Sequence, residues 1–293
     1  MHWTNYHCHS QYSDGRFPPE DHVKTAIELE MVALGFSCHS PLPFFRPWSM
    51  KLERFAQYCS EINAFKQKYQ GRIEVYLGME MDFLPGIFDE NSQLFSRKNL
   101  DYIVGSIHFV DAFDNGEPWE IDGTHELFLR GLKEIFDNDI QKAVCRYFEL
   151  TRMMITRLKP NIVGHIDKIK IQSENGKLFD TNARWYQQEL MATLETLASE
   201  GLILELNTRG IYKKKLPEAY PSLEALSAAW QMNIPVTLSS DSHHPGELIA
   251  QFPEAARRLQ RIGYKELFVL KNKKWQPLPF DAEGIAWNSS VEV

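Results

Sequence analysis

Ile234-Pro235-Val236-Thr237-Leu238 runs straight into Ser239-Ser240-Asp241-Ser242-His243. A short apolar strand therefore ends on a carboxylate and an imidazole two positions apart, and alternation in extended backbone puts positions i and i+2 on one side. The other end of the chain repeats the device: residues 2–7 lead into His7-Cys8-His9, and Asp14 follows in the turn Ser13-Asp14-Gly15. Between these ends, apolar runs finish at or within a few residues of His39, Glu80, His108, His165, and Glu205 with Asn207. The strand candidates are residues 2–7, 32–37, 73–78, 101–107, 161–165, 202–207 and 234–239, with a weaker one at 266–270. A parallel β/α barrel gathers the C-terminal ends of its strands on one face. Residues remote in sequence would meet there as a ring of imidazoles and carboxylates, the ligand chemistry of a multinuclear metal site.

The segments between the strands carry helical patterns. Pro18-Pro19-Glu20-Asp21 opens a helix, since proline is tolerated in a first turn and acidic side chains favour the positive helix end. Trp48–Tyr69 places Leu52, Phe55, Ala56, Cys59, Ile62 and Phe65 at helical spacing. Helices are also expected over Asn138–Leu158, Ala183–Ser199, Pro221–Met232 and Pro253–Ile262. Strands alternating with such helices predict βαβ units and a parallel sheet. Phe109–Leu129 breaks the rhythm with Asp111, Asp114, Asn115, Gly116, Pro118, Asp122 and Gly123. It follows a ligand-bearing strand, so it reads as a loop over the site.

The bulk properties agree with an ordinary globular α/β protein. The chain has 293 residues, 43% hydrophobic and 24% charged, with a formal charge of -7. That balance argues against a nucleic-acid protein with a broad basic face, while leaving room for a small anionic substrate beside bound cations. None of the four cysteines, Cys8, Cys38, Cys59 and Cys145, forms a C-x-x-C pair, so they read as reduced thiols in a cytoplasmic protein. Met1-His2-Trp3-Thr4-Asn5 has neither a basic nor an apolar leader region, and no run approaches the ~20 apolar residues of a membrane span.

Six of the ten histidines fall at predicted strand ends. Glu80, in the apolar setting Gly78-Met79-Glu80-Met81-Asp82, makes sense as a carboxylate between two cations, because burying that charge unpaired is costly. Cys8 and Cys38 lie beside these positions but in a strand point away from them. No G-x-S-x-G elbow, P-loop or dinucleotide-binding glycine motif is present, which disfavours serine hydrolase, nucleoside triphosphate and NAD chemistry.

Taken in order, His7-x-His9 with Ser13-Asp14-Gly15, His39-Ser40-Pro41-Leu42-Pro43, Gly78-x-Glu80-x-Asp82, Gly105-Ser106-x-His108, Gly164-His165, Glu205-Leu206-Asn207-Thr208 and Ser240-Asp241-Ser242-His243 resemble the PHP (polymerase and histidinol-phosphatase) family, in particular its histidinol-phosphatase branch. The resemblance covers residues 7 to about 263. It implies a single domain over residues 1–293, folded as a distorted seven-stranded TIM-like (β/α) barrel with three divalent metal ions, zinc, iron or manganese. Carried over by position, one metal takes His7, His9, Glu80 and Asp241. Glu80 bridges to a second held by His108 and His165, and a third takes Asp14, His39 and His243. Two positions depart from the family pattern: Cys38 stands where an Asp often precedes the second-motif histidine, and Arg209 follows Glu205-Leu206-Asn207-Thr208 where a small residue is common.

The activity so implied is hydrolysis of a small phosphate monoester, histidinol phosphate in histidine biosynthesis, by a metal-activated water attacking phosphorus. Glu80, Asp241 and His243 are the candidate catalytic residues, the last two for proton handling. Arg209 and Arg46 are candidate phosphate clamps, since guanidinium presents a matching fork. Asp111 and Asp114, with Asp122, are candidates for the substrate amine. Another small phosphate ester as substrate, an amidohydrolase-like hydrolase and a non-catalytic metal-binding barrel are the competing readings. Oligomeric state is not legible.

Overall fold

The computed structural model describes residues 2–173 and 175–287. Its strands are β1 (Thr4–Asn5), β2 (Ala33–Phe36), β3 (Glu74–Asp82), β4 (Tyr102–Ser106), β5 (Phe109–Ala112), β6 (Pro118–Glu120), β7 (Ile162–Val163), β8 (Ile203–Asn207), β9 (Val236–Ser239), β10 (Glu266–Lys271), β11 (Lys274–Asp281) and β12 (Gly284–Ile285). Seven of them form one sheet in the order β1-β2-β3-β4-β7-β8-β9, every neighbouring pair parallel. Each connection between consecutive sheet strands in this order follows the chain, which is the topology of a barrel rather than of a doubly wound sheet. The two edge strands share no ladder, and their backbones pair only beyond the strand ends. Cys8 and Ser242 form a parallel bridge, the His9 N–H donates to the Ser242 carbonyl at 2.7 Å, and the Ser242 N–H donates to the His7 carbonyl at 3.2 Å. The result is a nearly closed, distorted barrel of seven parallel strands.

The helices are α1 (Pro19–Glu28), α2 (Phe55–Lys68), α3 (His125–Phe136), α4 (Ile140–Arg157), α5 (Arg184–Glu200), α6 (Arg209–Tyr212), α7 (Leu223–Gln231) and α8 (Phe252–Ile262). α1 starts on Pro19 with Glu20 and Asp21 in its first turn, as the sequence predicts. The expected helix over Trp48–Tyr69 is shorter: α2 begins at Phe55 after a single turn at Leu52–Arg54. Trp48 is thereby left in the preceding loop, where its ring lies 4.7 Å from that of His39.

β3 runs longer than the sequence suggests, because its first half pairs with β2 and its second half, Gly78–Asp82, with β4. Glu80 and Asp82 therefore sit inside a hydrogen-bonded strand, fixed in direction by the pleat. The stagger leaves room for Tyr102. Its ring fills the space where a Cβ on Gly35 or Gly78 would stand, 2.3 and 2.2 Å from its nearest atoms, so these two strand positions have to be glycine.

The weak strand at 266–270 is not an eighth barrel strand. As β10 it pairs antiparallel with β11, and β11 with β12. This meander packs at the starting ends of the barrel strands, where the Tyr6 hydroxyl donates to the Leu270 carbonyl and accepts the Leu270 N–H, and Trp275 meets Tyr6 edge-on at 5.1 Å. Aromatic packing thus fills the barrel interior at that end, while the strand-end imidazoles and carboxylates gather at the opposite, C-terminal face. Phe109–Leu129 is likewise ordered: β5 and β6 form a hairpin, and Thr124 caps α3 by accepting the Leu127 N–H. No described helix is long and apolar enough to cross a membrane.

Candidate metal centre

Six of the seven barrel strands bring a candidate ligand to the C-terminal face. β1 leads to His7 and His9, β2 to His39, β4 to His108, β7 to His165 and β9 to Asp241 and His243, while β3 carries Glu80 within its last turns. Asp241 has φ of 50°, the left-handed region that a short polar side chain tolerates. That turn lets Asp241 and His243 both face inward immediately after β9. His7, His9, Glu80, His108, His165 and Asp241 are at most 4% exposed, and His39 8%.

Glu80 is the hub. Its Oε2 lies 3.3 Å from His7 Nε2, 3.4 Å from His9 Nε2 and 2.9 Å from His39 Nδ1. Its Oε1 lies 3.1 Å from His165 Nε2 and 3.6 Å from His108 Nε2. Asp241 Oδ1 approaches His9 Nε2 at 3.4 Å and His7 Nε2 at 3.9 Å. Asp14 sits at the mouth, with Oδ2 2.8 Å from His243 Nε2 and Oδ1 3.5 Å from His9 Nδ1 and 3.9 Å from His39 Nε2. The convergence of these nine residues is the one the sequence predicts.

The residues fit a cation cluster on two observations. First, His7 Nε2, His9 Nε2, His39 Nδ1, His108 Nε2, Glu80 Oε2 and Asp14 Oδ1 are buried with no hydrogen-bond partner, although buried polar atoms are normally paired. Second, ligands about 2.0–2.1 Å from a tetrahedral ion stand about 3.3 Å apart, close to the spacings of His7, His9, Glu80 and Asp241. Atoms that could ligate an ion fall into three overlapping groups, His9–Asp14–His39–His243, His7–His9–Asp241 and His39–Glu80–His108.

A further layer fixes the rings. His7 Nδ1 donates to Glu205 Oε1 at 2.5 Å, and Glu205 Oε2 accepts the His165 N–H at 2.8 Å and Asn207 Nδ2 at 3.1 Å. His108 Nδ1 donates to Asp82 Oδ1 at 2.9 Å. Each carboxylate sets the tautomer that frees Nε2 for an ion. Glu205 and Asn207, noted in the sequence as strand-end polar residues, thus orient ligands.

The electrostatics of the metal-free cluster follow. Burial raises the cost of charge on Glu80, but His39, His7 and His108 outweigh it and hold the carboxyl well below its usual range. Burial likewise opposes the charge of Asp241, and Arg209 and His7 overcome it. Burial lowers His39, but Glu80 and Asp14 lift it to about 9. His9, buried against His243 and His39, falls to about 3.

Above the cluster lies a cavity of about 140 Å³ whose walls include Trp48, Glu120, Asp122, Lys168, Arg209 and Lys215. Arg209 reaches it as expected, with Nη1 donating to the Asp241 carbonyl at 2.6 Å. Arg46 does not line it. Its guanidinium is tied to the β5–β6 hairpin, donating to the Pro118 carbonyl at 3.1 Å and lying 3.6 Å from both Glu117 and Glu120. Asp111 and Asp114 are also corrected. Asp111 points outward to Arg146 at 3.0 Å, and Asp114 is exposed in the hairpin turn. The hairpin's pleat turns Glu120, and then Asp122, to the cavity instead. Lys168, Glu120, Trp48 and Lys215 carry no signal in the sequence, for no spacing rule points to a lone residue in a loop, a short turn or a hairpin end. Asp122 is held by Lys168 at 2.6 Å.

The comparisons with known proteins agree with this geometry. The model of the PHP domain matches residues 5–209. A probable histidinol-phosphatase of Deinococcus radiodurans is 30% identical over 261 residues, 88% of this chain and 92% of that protein. The histidinol-phosphatase of Bacillus subtilis is 25% identical over 243 residues, 78% of this chain and 87% of that one. Among solved structures, the histidinol phosphate phosphatase of Lactococcus lactis, complexed with zinc, L-histidinol and phosphate, matches with a TM-score of 0.68 at 22% identity, covering 97% of this chain and 98% of that one. The chain belongs to the PHP domain family.

Proposed function

We propose that this protein is a metal-dependent phosphomonoesterase that hydrolyses histidinol phosphate in the cytoplasm. The observation that carries the reading is the mouth of the barrel, where imidazole and carboxylate atoms converge around Glu80 with their lone pairs unpartnered. On this reading His7, His9, Glu80 and Asp241 hold one divalent ion, Glu80, His108 and His165 a second, and Asp14, His39 and His243 a third, of zinc, iron or manganese. Bound there, such ions supply a water acidified to a pKa of about 7 and neutralise the phosphoryl oxygens. The chain's own groups do the rest. Arg209 and Lys168 face the phosphoryl group, and Glu120 with Asp122 gives the cavity a negative wall suited to a cationic amine or imidazole. Trp48 offers a flat face beside them. A histidinol phosphate carries both charges, and the names of the Deinococcus and Lactococcus proteins support that substrate.

The test is phosphate release from histidinol phosphate by protein supplied with Mn²⁺ or Zn²⁺, against a panel of sugar phosphates, nucleotides and phosphotyrosine. Histidinol phosphate should be fastest, and a chelator should stop turnover. Undiminished turnover in His9→Ala or Glu80→Ala would refute the assignment.

A further inference from the structure

The cavity wall carries three cations in different states. Lys168 is locked to Asp122 at 2.6 Å. Arg209 donates to the Asp241 carbonyl, and a guanidinium does not release its proton. Lys215 lines the same cavity, and its ammonium makes no hydrogen bond or ion pair with any described residue. Its backbone is nonetheless tied down. The N–H groups of Lys215 and Leu216 both donate to the Gly210 carbonyl, at 3.0 and 3.1 Å, just after α6. Gly210 permits this fold-back, since a Cβ there would stand 2.7 Å from the Glu218 carbonyl oxygen. The loop thus presents one unpaired, proton-bearing group at the rim of the site, open to solvent.

Direction matters as well. In-line displacement puts the leaving oxygen opposite the attacking water. The proposed ion ligands form the floor, so the leaving oxygen faces the rim. Resting on the phosphomonoesterase reading, we propose that Lys215 is the general acid that protonates this oxygen. As the water oxygen forms its bond to phosphorus, the ester P–O bond breaks, its electron pair passes to the leaving oxygen, and that oxygen takes a proton from the Lys215 ammonium. The resulting neutral amine regains a proton from solvent, and the attacking water releases one to solvent. Although the residue as a whole is exposed, the cavity partly shields its ammonium from water, and this desolvation, together with the charges of Lys168 and Arg209, holds Lys215 below the usual lysine value, which suits a proton donor.

The experiment compares an alkyl ester, histidinol phosphate, with 4-nitrophenyl phosphate, whose phenolate departs without a proton, in the metal-loaded wild type, Lys215→Met and Lys215→Arg. Loss of a general acid should lower kcat for the alkyl ester by about 10²–10⁴-fold in both variants, with the nitrophenyl ester little changed. Lys215→Arg, which keeps the charge, should keep its KM. Independently of turnover, competitive labelling of the metal-free wild type with acetic anhydride should find Lys215 more reactive near neutrality than the exposed lysines of other faces. Equal losses on both esters would make Lys215 a charge clamp and overturn the proposal. So would no loss on either, ordinary labelling, or the ester-selective loss appearing in Glu120→Gln instead. Failure of the wild type to release phosphate from any ester would remove the underlying reading, and the assignment with it.

Discussion

Replacing Glu205 by Gln tests whether the outer layer sets the ligand tautomers. Oε1 accepts from His7 Nδ1 at 2.5 Å and from the Ser239 hydroxyl, while Oε2 accepts from the His165 N–H at 2.8 Å and Asn207 Nδ2 at 3.1 Å. An amide has only one accepting oxygen. The backbone N–H of His165 cannot turn, so the Gln oxygen should take the Oε2 place and its NH₂ should face His7. The hydroxyl of Ser239 can rotate to accept, but His7 can accept only by moving its proton to Nε2, the atom that faces Glu80. That tautomer cannot bind an ion. Losing this kind of ligand support weakens metal affinity by about 10–100-fold, about 1.4–2.8 kcal/mol at 1.4 kcal/mol per decade. At about 2–4 °C per kcal/mol for a protein somewhat smaller than this one, the rise in Tm on adding saturating Zn²⁺ should shrink by roughly 3–11 °C. Chelator-competition titration gives the affinity directly. An unaltered zinc affinity in Glu205→Gln would show that Glu205 does not set the His7 tautomer.

Two further outcomes follow from the same geometry. In the metal-free protein, His39 is raised to about 9 by Glu80 and Asp14, after burial has opposed its charge. Its contribution to stability is therefore complete below the unfolded value of about 6.5 and lost as pH rises to about 9, whereas the depressed Glu80 and Asp241 contribute above about pH 4.5 and lose their contribution on acidification. Urea denaturation in chelator should show stability highest near pH 6.5, falling on acidification because buried His9, at about 3, stays neutral while its unfolded form takes up a proton, and declining toward 9 as His39 loses its charge; a flat profile from pH 5 to 9 would contradict the pairing. Asp111→Asn removes a half-exposed ion pair with Arg146, so stability should change by no more than about 1 kcal/mol, and kcat/KM for histidinol phosphate should stay at the wild-type value.

The ligand set was legible because it obeys a spacing rule. A histidine or carboxylate after an apolar run has its place dictated by the barrel, and His7, His9, His39, His108, His165, Asp241 and His243 all arrive where that rule sends them. The cavity walls were not legible, because their side chains hang from loops and a hairpin whose turns set direction. The bulge between Phe109 and Ala112, with Asp111 at positive φ, turns Asp111 outward. A charge count along Phe109–Leu129 cannot tell it from Glu120 or Asp122. The helix expected to start at Trp48 fails for a similar reason, since the apolar stripe registers Trp48 as a helix position while its ring is occupied against His39. The C-terminal meander escaped because β11 contains Pro277 and Pro279, which weaken any strand pattern in a sequence.

The seam between β1 and β9 would make the barrel depend on whatever ions the strand-end cluster holds. Their ladder is missing, and the tie across the gap consists of the Cys8–Ser242 bridge with its backbone bonds and of the Asn5 amide, which donates to Ser240 Oγ at 2.8 Å. His7 and His9 stand on one lip, Asp241 and His243 on the other. An ion gripped from both lips would work as a clasp joining the first and last turns of the wall. Stripping the ions should then unbutton this edge before the rest of the cylinder yields, so the amides of His9 and Ser242 would exchange early while those of β3 and β4 stay protected.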